Sequence, residues 1–229
     1  MTIKTNNHNV CFVIPAYNEE KNILSVIEQL QDLGDIIIID DGSKDNTRKI
    51  LKDINLIYFK YATNMGYDEA LNKGFEIANL NMFNYIITVD ADGQHKLKDI
   101  KKIRNKLIEG YHVVSGKRNI LPRFGEKLFS LYTKFIYKID DPLCGLKGYN
   151  INVYNELGFF DNYKSIGTQL LLFSIRKKYK YYFFEIDVNN RINKLKPSFG
   201  GFFKSNYKIL RSLFITILND LYLKFTFND

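Results

Sequence analysis

The chain has 229 residues with 45% apolar and 25% charged side chains, a balance that excludes disordered, collagen-like and coiled-coil chains and suits one globular domain with a short appendage. Its net charge of +8 is unevenly spread: residues 1–95 carry 8 Lys+Arg against 14 Asp+Glu, net −6, and residues 96–229 carry 25 against 11, net +14. A uniform nucleic-acid binder would not have so acidic a first portion. In chain order, Val10–Ile14 reads as a strand. Glu20–Leu33 is a helical pattern ended by Gly34. Four isoleucines, Ile36–Ile39, read as a strand buried on both faces. Lys44–Asp53 follows as a helix, Leu56–Tyr61 as a strand, Asp68–Leu80 as a helix and Tyr85–Val89 as a strand. Lys98–Glu109 is then a helix, stopped by Gly110, and Tyr111–Ser115 a strand. Beyond residue 120 the rhythm loosens. Phe124–Tyr137 and Ser165–Tyr179 read as helices, Tyr181–Val188 as a strand and Phe202–Phe225 as a long helix.

Strands alternating with helices predict an α/β, Rossmann-like domain with a mostly parallel central sheet and a C-terminal helical extension. Residues 1–200 are expected to form that domain, divided into a nucleotide and metal half (1–95) and an acceptor half (96–200). Residues 201–229 are expected to form an amphipathic helix. Met1–Asn9 is polar and lacks the apolar core of a signal peptide. No run of about 18 uncharged apolar residues spans a bilayer. Cys11 and Cys144 make no disulfide framework, which fits a reducing cytoplasm.

Ligands of such sheets sit at the carboxyl ends of the strands. Three polar segments stand there. Pro15-Ala16-Tyr17-Asn18-Glu19-Glu20 follows the first strand, with Asn18 placed to cap the next helix. Asp40-Asp41-Gly42-Ser43 follows the isoleucine strand, with Gly42 for a tight turn and Ser43 as a cap. Two adjacent carboxylates there are costly unless they hold something. Asp90-Ala91-Asp92-Gly93-Gln94-His95 follows Tyr85–Val89. In an extended segment residues two apart face one way, so Asp90 and Asp92 can meet one hard cation, Mg²⁺ or Mn²⁺, with Gln94 extending the row. His95 reads as a neighbour of that site. With 16 Asp in the chain an Asp-x-Asp arises by chance, so its place after an apolar strand is what gives it weight.

These segments, in this order and with Asn64-Met65-Gly66 and then Ala70, Gly74 and Ala78 between them, resemble the family 2 glycosyltransferases of GT-A fold over roughly residues 9–200. The resemblance implies that Pro15, Ala16, Tyr17 and Glu19 line a nucleoside pocket. Asp41 would contact the base with Asp40 close by, and Asn64, Gly66 and Ala91 would lie along the nucleotide. Asp90 and Asp92 would hold a metal bridging the donor diphosphate, with Gln94 joining.

The second half resembles the branch that glycosylates polyprenyl phosphates. Ser115-Gly116-Lys117-Arg118 and Asp141-Pro142-Leu143-Cys144-Gly145-Leu146-Lys147 carry that likeness, with Cys144 and Lys147 where the branch has Ser and Arg. Residues 96–138 hold 12 basic and 3 acidic side chains. Arg118, Arg123, Lys127 and Ser130 are the acceptor-side candidates. The stretch Glu185–Arg191 and then Ser198–Gly201 matches the branch imperfectly, leaving Arg191, Lys194 and Lys196 as candidate diphosphate contacts.

A phosphate acceptor is already ionised, whereas a hydroxyl acceptor needs a base. Gly167-Thr168-Gln169-Leu170 has no carboxylate where hydroxyl-acting relatives carry one, which favours phosphate. Asp140 or Asp141 as a base, or Asp141 as a structural anchor, keeps the alternative open: transfer to a hydroxyl of a lipid-linked or surface glycan of lipopolysaccharide or capsule type. The C-terminal helix is read either as lying on an anionic leaflet or as a core or dimer helix. The expected protein is thus an inverting, metal-dependent glycosyltransferase, cytoplasmic and peripheral on the inner membrane face, with a nucleotide-sugar donor, a polyprenyl-phosphate or other lipid-linked acceptor, and no nucleic acid. A nucleotidyltransferase and a basic binding module are the remaining rivals.

Overall fold

A computed structural model describes residues 9–187 and 202–226, the side chains of 202–204 and 224–226 excepted. The elements are β1 (Val10–Ala16), α1 (Ile23–Leu30), β2 (Asp35–Asp40), α2 (Thr47–Leu51), β3 (Ile57–Lys60), α3 (Tyr67–Leu80), β4 (Tyr85–Thr88), α4 (Leu97–Ile108) and β5 (Val113–Arg118). They continue with α5 (Phe124–Tyr137), β6 (Lys147–Asn150), α6 (Ile151–Leu157), α7 (Thr168–Arg176), β7 (Tyr181–Ile186) and α8 (Phe202–Thr226). The seven strands form one sheet in the order β3-β2-β1-β4-β6-β5-β7. Neighbours pair in parallel except at β6, which runs against both β4 and β5.

The period of two explains how the strands are covered. Val10, Phe12, Ile14 and Ala16 pack into one core, with Ile23, Val26, Ile27 and Leu30 of α1 and Ile100, Ile103 and Leu107 of α4. Cys11 and Val13 face the other core, with Ala70, Leu71, Phe75 and Ala78 of α3 and Leu170–Leu172 of α7. The isoleucine strand divides the same way: Ile36 and Ile38 go to the first core, Ile37 and Ile39 to the second. This is the two-faced burial predicted for it, and the α/β class follows.

Two differences from the sequence reading matter for the site. First, α1 begins at Ile23 and α2 at Thr47, each three residues later than expected. The polar residues before them bind each other instead of capping. Asn18 N donates to Ser43 Oγ at 2.9 Å, Lys44 N to Asn18 Oδ1 at 2.8 Å, Glu19 N to Thr47 Oγ1 at 2.9 Å and Glu20 N to Asp45 Oδ2 at 3.1 Å. The loops after β1 and β2 are therefore stapled together. Second, β6 and α6 were not expected. The β6 sequence Lys-Gly-Tyr-Asn has no apolar run to mark it. It is buried by its neighbours, and Gly148 is required there because a Cβ would lie 2.4 Å from Ile103 Cγ2 of α4.

The helix α8 packs on α5. Ile209 and Leu213 join Phe129 and Leu143 in a third small core. Asn206 Oδ1 accepts from Gly125 N at 2.9 Å, Ser212 Oγ donates to Tyr163 O at 2.8 Å, and Asp220 pairs with Tyr132 and Arg176. One face of α8 is thus a core helix, while Tyr207, Phe214, Leu218 and Tyr222 stay exposed on the other. No helix among the described residues is long and apolar enough to cross a membrane.

Candidate active site

A cavity of about 610 Å³ lies across the carboxyl ends of the strands. Sheet order sets its layout. The ends of β2 and β1 supply Asp41, Pro15, Ala16, Tyr17 and Glu19 at one side, together with Asn64 and Gly66 from the β3–α3 loop. The end of β4 supplies Asp90, Ala91, Asp92 and Gln94 at the middle. The far side is walled by Arg118, Arg123, Leu143, Gly145, Lys164, Ile166 and, from α8, Lys208.

At the first side the two adjacent aspartates do hold something, but it is protein. Asp40 is fully buried and does not reach the cavity, contrary to the expectation that it lies at the nucleotide. Its Oδ1 accepts from Ser43 N at 2.7 Å and its Oδ2 from Tyr58 Oη at 2.8 Å. Asp41 borders the cavity, and its two oxygens accept from Met65 N at 2.6 Å and Gly66 N at 2.9 Å. Burial pushes its carboxyl up, against those two amide bonds. Asp41 thereby fixes the Asn64–Gly66 loop against the cavity wall.

At the middle, Asp90 is held from both sides. Tyr67 Oη donates to Oδ1 at 2.6 Å, and His95 Nε2 lies 3.0 Å from Oδ2. Burial, and then the Asp90 charge, push the Tyr67 phenol well above its usual range, so it stays a donor. A Cβ at Gly145 would stand 2.8 Å from Asp90 Oδ2, so glycine there leaves the carboxylate its room. Gln94 N donates to Asp92 Oδ1 at 3.1 Å. Among the described residues no three His, Cys, Asp or Glu side chains gather into a metal cage. Two oriented carboxylates with open space before them suit a hard divalent cation that completes its shell with substrate oxygens.

On the far side several expected contacts are already committed. Asp141 is buried and takes Arg118 in a two-pronged pair, Nε to Oδ2 at 2.8 Å and Nη2 to Oδ1 at 2.9 Å, and also accepts from Arg118 N at 3.0 Å. Burial opposes the Arg118 charge, and the Asp141 bonds outweigh it. Asp141 is therefore an anchor outside the cavity wall, and not a base facing it. Ser130 Oγ donates to Asp140 O, and Asp140 itself pairs with Lys117 and Lys134. Ser130 and the exposed Lys127 do not border the cavity. Arg123 does border it, with Nη1 3.0 Å from Glu126 Oε1. Lys147 is fully buried, and its Nζ donates to Ile166 O at 2.5 Å. Arg191, Lys194 and Lys196 lie outside the described residues.

Sequence reading missed Tyr67 and Asp68, which directly follow the Asn64-Met65-Gly66 segment, and Lys208, which lies in the helix read either as a membrane-surface helix or as a core or dimer helix. Lys164 and Ile166 come from an irregular loop: α7 starts at Thr168, three residues after the expected Ser165, which leaves Ile166 outside the helix.

A model of glycosyl transferase family 2 matches residues 11–167. An uncharacterized protein of Methanocaldococcus jannaschii is 37% identical over 173 residues, 66% of this chain and 76% of that one. The UDP-N-acetylglucosamine–dolichyl-phosphate N-acetylglucosaminyltransferase of Methanococcus voltae is 29% identical over 239 aligned positions, covering 89% of this chain and 94% of the relative. In structure, glucosyl-3-phosphoglycerate synthase of Mycobacterium tuberculosis, solved with Mn²⁺ and UDP-glucose, superposes with a TM-score of 0.70 over 93% of this chain and 78% of that one. At 17% identity that likeness is one of fold. The family match takes in the strand ends that carry Asp41, Asp90 and Asp92 and runs on to Gly167, and on it the chain belongs to glycosyl transferase family 2.

Proposed function

We propose that this protein is an inverting glycosyltransferase that moves a sugar from a nucleotide donor to a polyprenyl phosphate, with Mg²⁺ or Mn²⁺. The observation that carries this is the polarity of the cavity. Carboxylates stand at its middle, and Arg123, Lys164 and Lys208 stand on its far side. The relative from Methanococcus voltae, matched over nearly its whole length, is named for transfer to dolichyl phosphate.

In this reading the residues after β1 and the Asn64–Gly66 loop seat the nucleoside, and Asp41 sets the loop's position. Asp90 and Asp92 hold the cation, with Tyr67 and His95 orienting Asp90. The bound cation supplies Lewis-acid neutralisation of the departing diphosphate. The acceptor phosphate oxygen attacks the anomeric carbon, and the bond from that carbon to the nucleoside diphosphate breaks with its electron pair. Arg123, Lys164 and Lys208 draw the acceptor phosphate in by charge.

The membrane side of the reading rests on α5 and α8. Phe124, Leu131 and Phe135 on α5, and Tyr207, Phe214 and Leu218 on α8, are exposed. Lys127 and Lys134 of α5, Lys138 directly after it and Arg211 of α8 are exposed as well. Aromatic and basic residues so mixed suit the anionic inner face of a membrane, where a lipid-linked acceptor resides.

The second reading, transfer to a glycan hydroxyl, has one observation in its favour. The carboxylate that the start of α7 lacks arrives from α3, as Asp68 borders the cavity beside Ile166. Product chemistry separates the two. The purified chain with Mn²⁺, UDP-N-acetylglucosamine or GDP-mannose and a polyprenyl phosphate should yield a glycolipid cleaved by mild acid. An acid-stable glycoside made only with hydroxyl acceptors would overturn the first reading.

A further inference from the structure

The proposed reading gives work to both ends of the cavity and to the Asp90 region, but none to Asp68. This carboxylate is the second residue of α3 and is 8% exposed, yet it borders the cavity. Its Oδ1 accepts from Ile166 N at 2.7 Å. Its Oδ2 takes no hydrogen bond from another described residue. Its own backbone N–H also supports the carboxyl, and the cavity it borders leaves room for a ligand donor to meet it.

Its surroundings are firm. The loop it touches is tied by Asp161, which accepts from Tyr163 N at 2.7 Å and Ser165 Oγ at 2.7 Å, and by Lys147 through Ile166 O. Ile166 sits at φ 56°, in the left-handed region that a β-branched side chain disfavours. The Asp68 bond to Ile166 N is among the contacts that hold it there.

Position then selects the ligand. Asp68 shares the cavity with Asp90, which its neighbour Tyr67 touches, and in the proposed reading the donor diphosphate ends at Asp90. Its partner Ile166 belongs to the far side of the cavity. Between diphosphate and acceptor stands the transferred sugar. When ionised, such a group only accepts, which matches a neutral ligand rich in hydroxyl donors, and it would repel a phosphate. We propose that Asp68 recognises the transferred sugar, accepting hydrogen bonds from its hydroxyls through Oδ2 while Oδ1 stays on Ile166 N. This deepens the nucleotide-sugar reading and rests on it. Burial, and then Asp161, push the Asp68 carboxyl up to about 7, with Ile166 N and Lys147 pulling the other way. Asp68 therefore changes charge near neutrality.

The test compares a nucleotide with its sugar ester. Binding is measured calorimetrically with Mn²⁺ for UDP against UDP-N-acetylglucosamine and for GDP against GDP-mannose, on the wild type and on Asp68→Asn. The amide keeps an oxygen for Ile166 N but places a donor where the sugar needs an acceptor. We expect nucleoside diphosphate affinity to stay within about twofold while the sugar ester weakens by about tenfold or more. The wild type gives a second measurement that needs no variant: the ratio of sugar-ester to diphosphate affinity should fall severalfold from pH 8 to pH 6. Equal weakening of both ligands in Asp68→Asn would make the residue a purely structural one. Unchanged binding of both, with collapsed turnover, would make it a base and overturn the proposal. Should the wild type bind neither sugar ester, the nucleotide-sugar reading itself fails. Should it bind one and Asp68→Asn match it, only the role of Asp68 fails.

Discussion

Residues 1–95 and residues 96–229 share one sheet but reach the cavity by different means. In the first region parallel strands run straight into loops that line the cavity, and those loops are stapled to one another across β1 and β2. In the second an antiparallel strand is inserted, a loop arrives from between α6 and α7, and α8 returns from the far end of the chain to add Lys208. The charges differ in use as well. The acidic region spends Asp40 and Asp41 on its own backbone and keeps Asp90 and Asp92 for the cavity. The basic region pairs much of its surplus, as in Lys117–Asp140, Lys106–Glu109, Arg118–Asp141 and Arg123–Glu126, and places Arg118, Arg123, Lys164 and Lys208 along the wall. Net charge therefore marks the two ends of the cavity, but it does not say which side chains face it.

The largest expected effect tests the middle of the cavity. Asp92→Ala should lower sugar transfer by on the order of a thousandfold and remove the dependence of nucleotide binding on Mn²⁺. Calorimetry with and without the metal checks this. Turnover close to wild type would mean that the acidic region does not supply the metal site. Next comes the anchor of the basic region. Asp141→Ala leaves Arg118 without its buried counter-charge and should cost about 3 kcal/mol of stability, read from urea unfolding. Affinity for the nucleoside diphosphate should survive under conditions where the variant is folded. Loss of turnover with unchanged stability would return Asp141 to the chemistry.

How legible these regions were follows from the same contrast. The donor side was readable because each apolar strand announces its own end, and the polar segments after Ala16, Asp40 and Thr88 stand there. The resemblance rested on those segments. Local capping rules misread Asn18 and Ser43, because each prefers a partner about 25 residues away to the helix beside it. Asp40 and Asp41 are identical in sequence terms, but Asp40, the last residue of β2, turns inward to Tyr58, and Asp41, just past the strand, borders the cavity. On the far side the signal fails. Nothing in Lys-Gly-Tyr-Asn says strand, since its burial comes from β4, β5 and α4. Asp68 and Ile166 meet across 98 positions, and Lys208 is brought to Arg123 by α8 packing on α5. Such tertiary juxtapositions have no periodicity to betray them.

A smaller effect comes from the junction of the two regions. Asp68 rises from its ordinary range to about 7, so between about pH 4 and 7 the folded chain keeps a proton there that the unfolded chain has released. The stability contributed by this group is fully present below pH 4 and is lost as the pH rises through 7. Relative to Asp68→Asn, the wild type should lose on the order of 2 kcal/mol between pH 5 and pH 8. Urea unfolding at the two pH values measures it. Parallel curves for the two proteins would show that Asp68 meets solvent as freely as in the unfolded chain.

The smallest effect addresses the comparison most directly. Arg123 and Lys208 come from different helices, and both border the far side of the cavity. If that side receives a phosphate, removing both cations should act on the acceptor alone. Arg123→Ala combined with Lys208→Ala should raise the KM for a polyprenyl phosphate about tenfold, while the KM for the nucleotide sugar and Mn²⁺-dependent binding of the nucleoside diphosphate stay within twofold. The acceptor KM of the wild type should also rise with salt, and that dependence should flatten in the double variant, because charge attraction is what was removed. A rise confined to the donor KM would place these cations on the leaving diphosphate instead. The basic region would then serve the same ligand as the acidic one, and the division between donor side and acceptor side would have to be drawn inside residues 96–229.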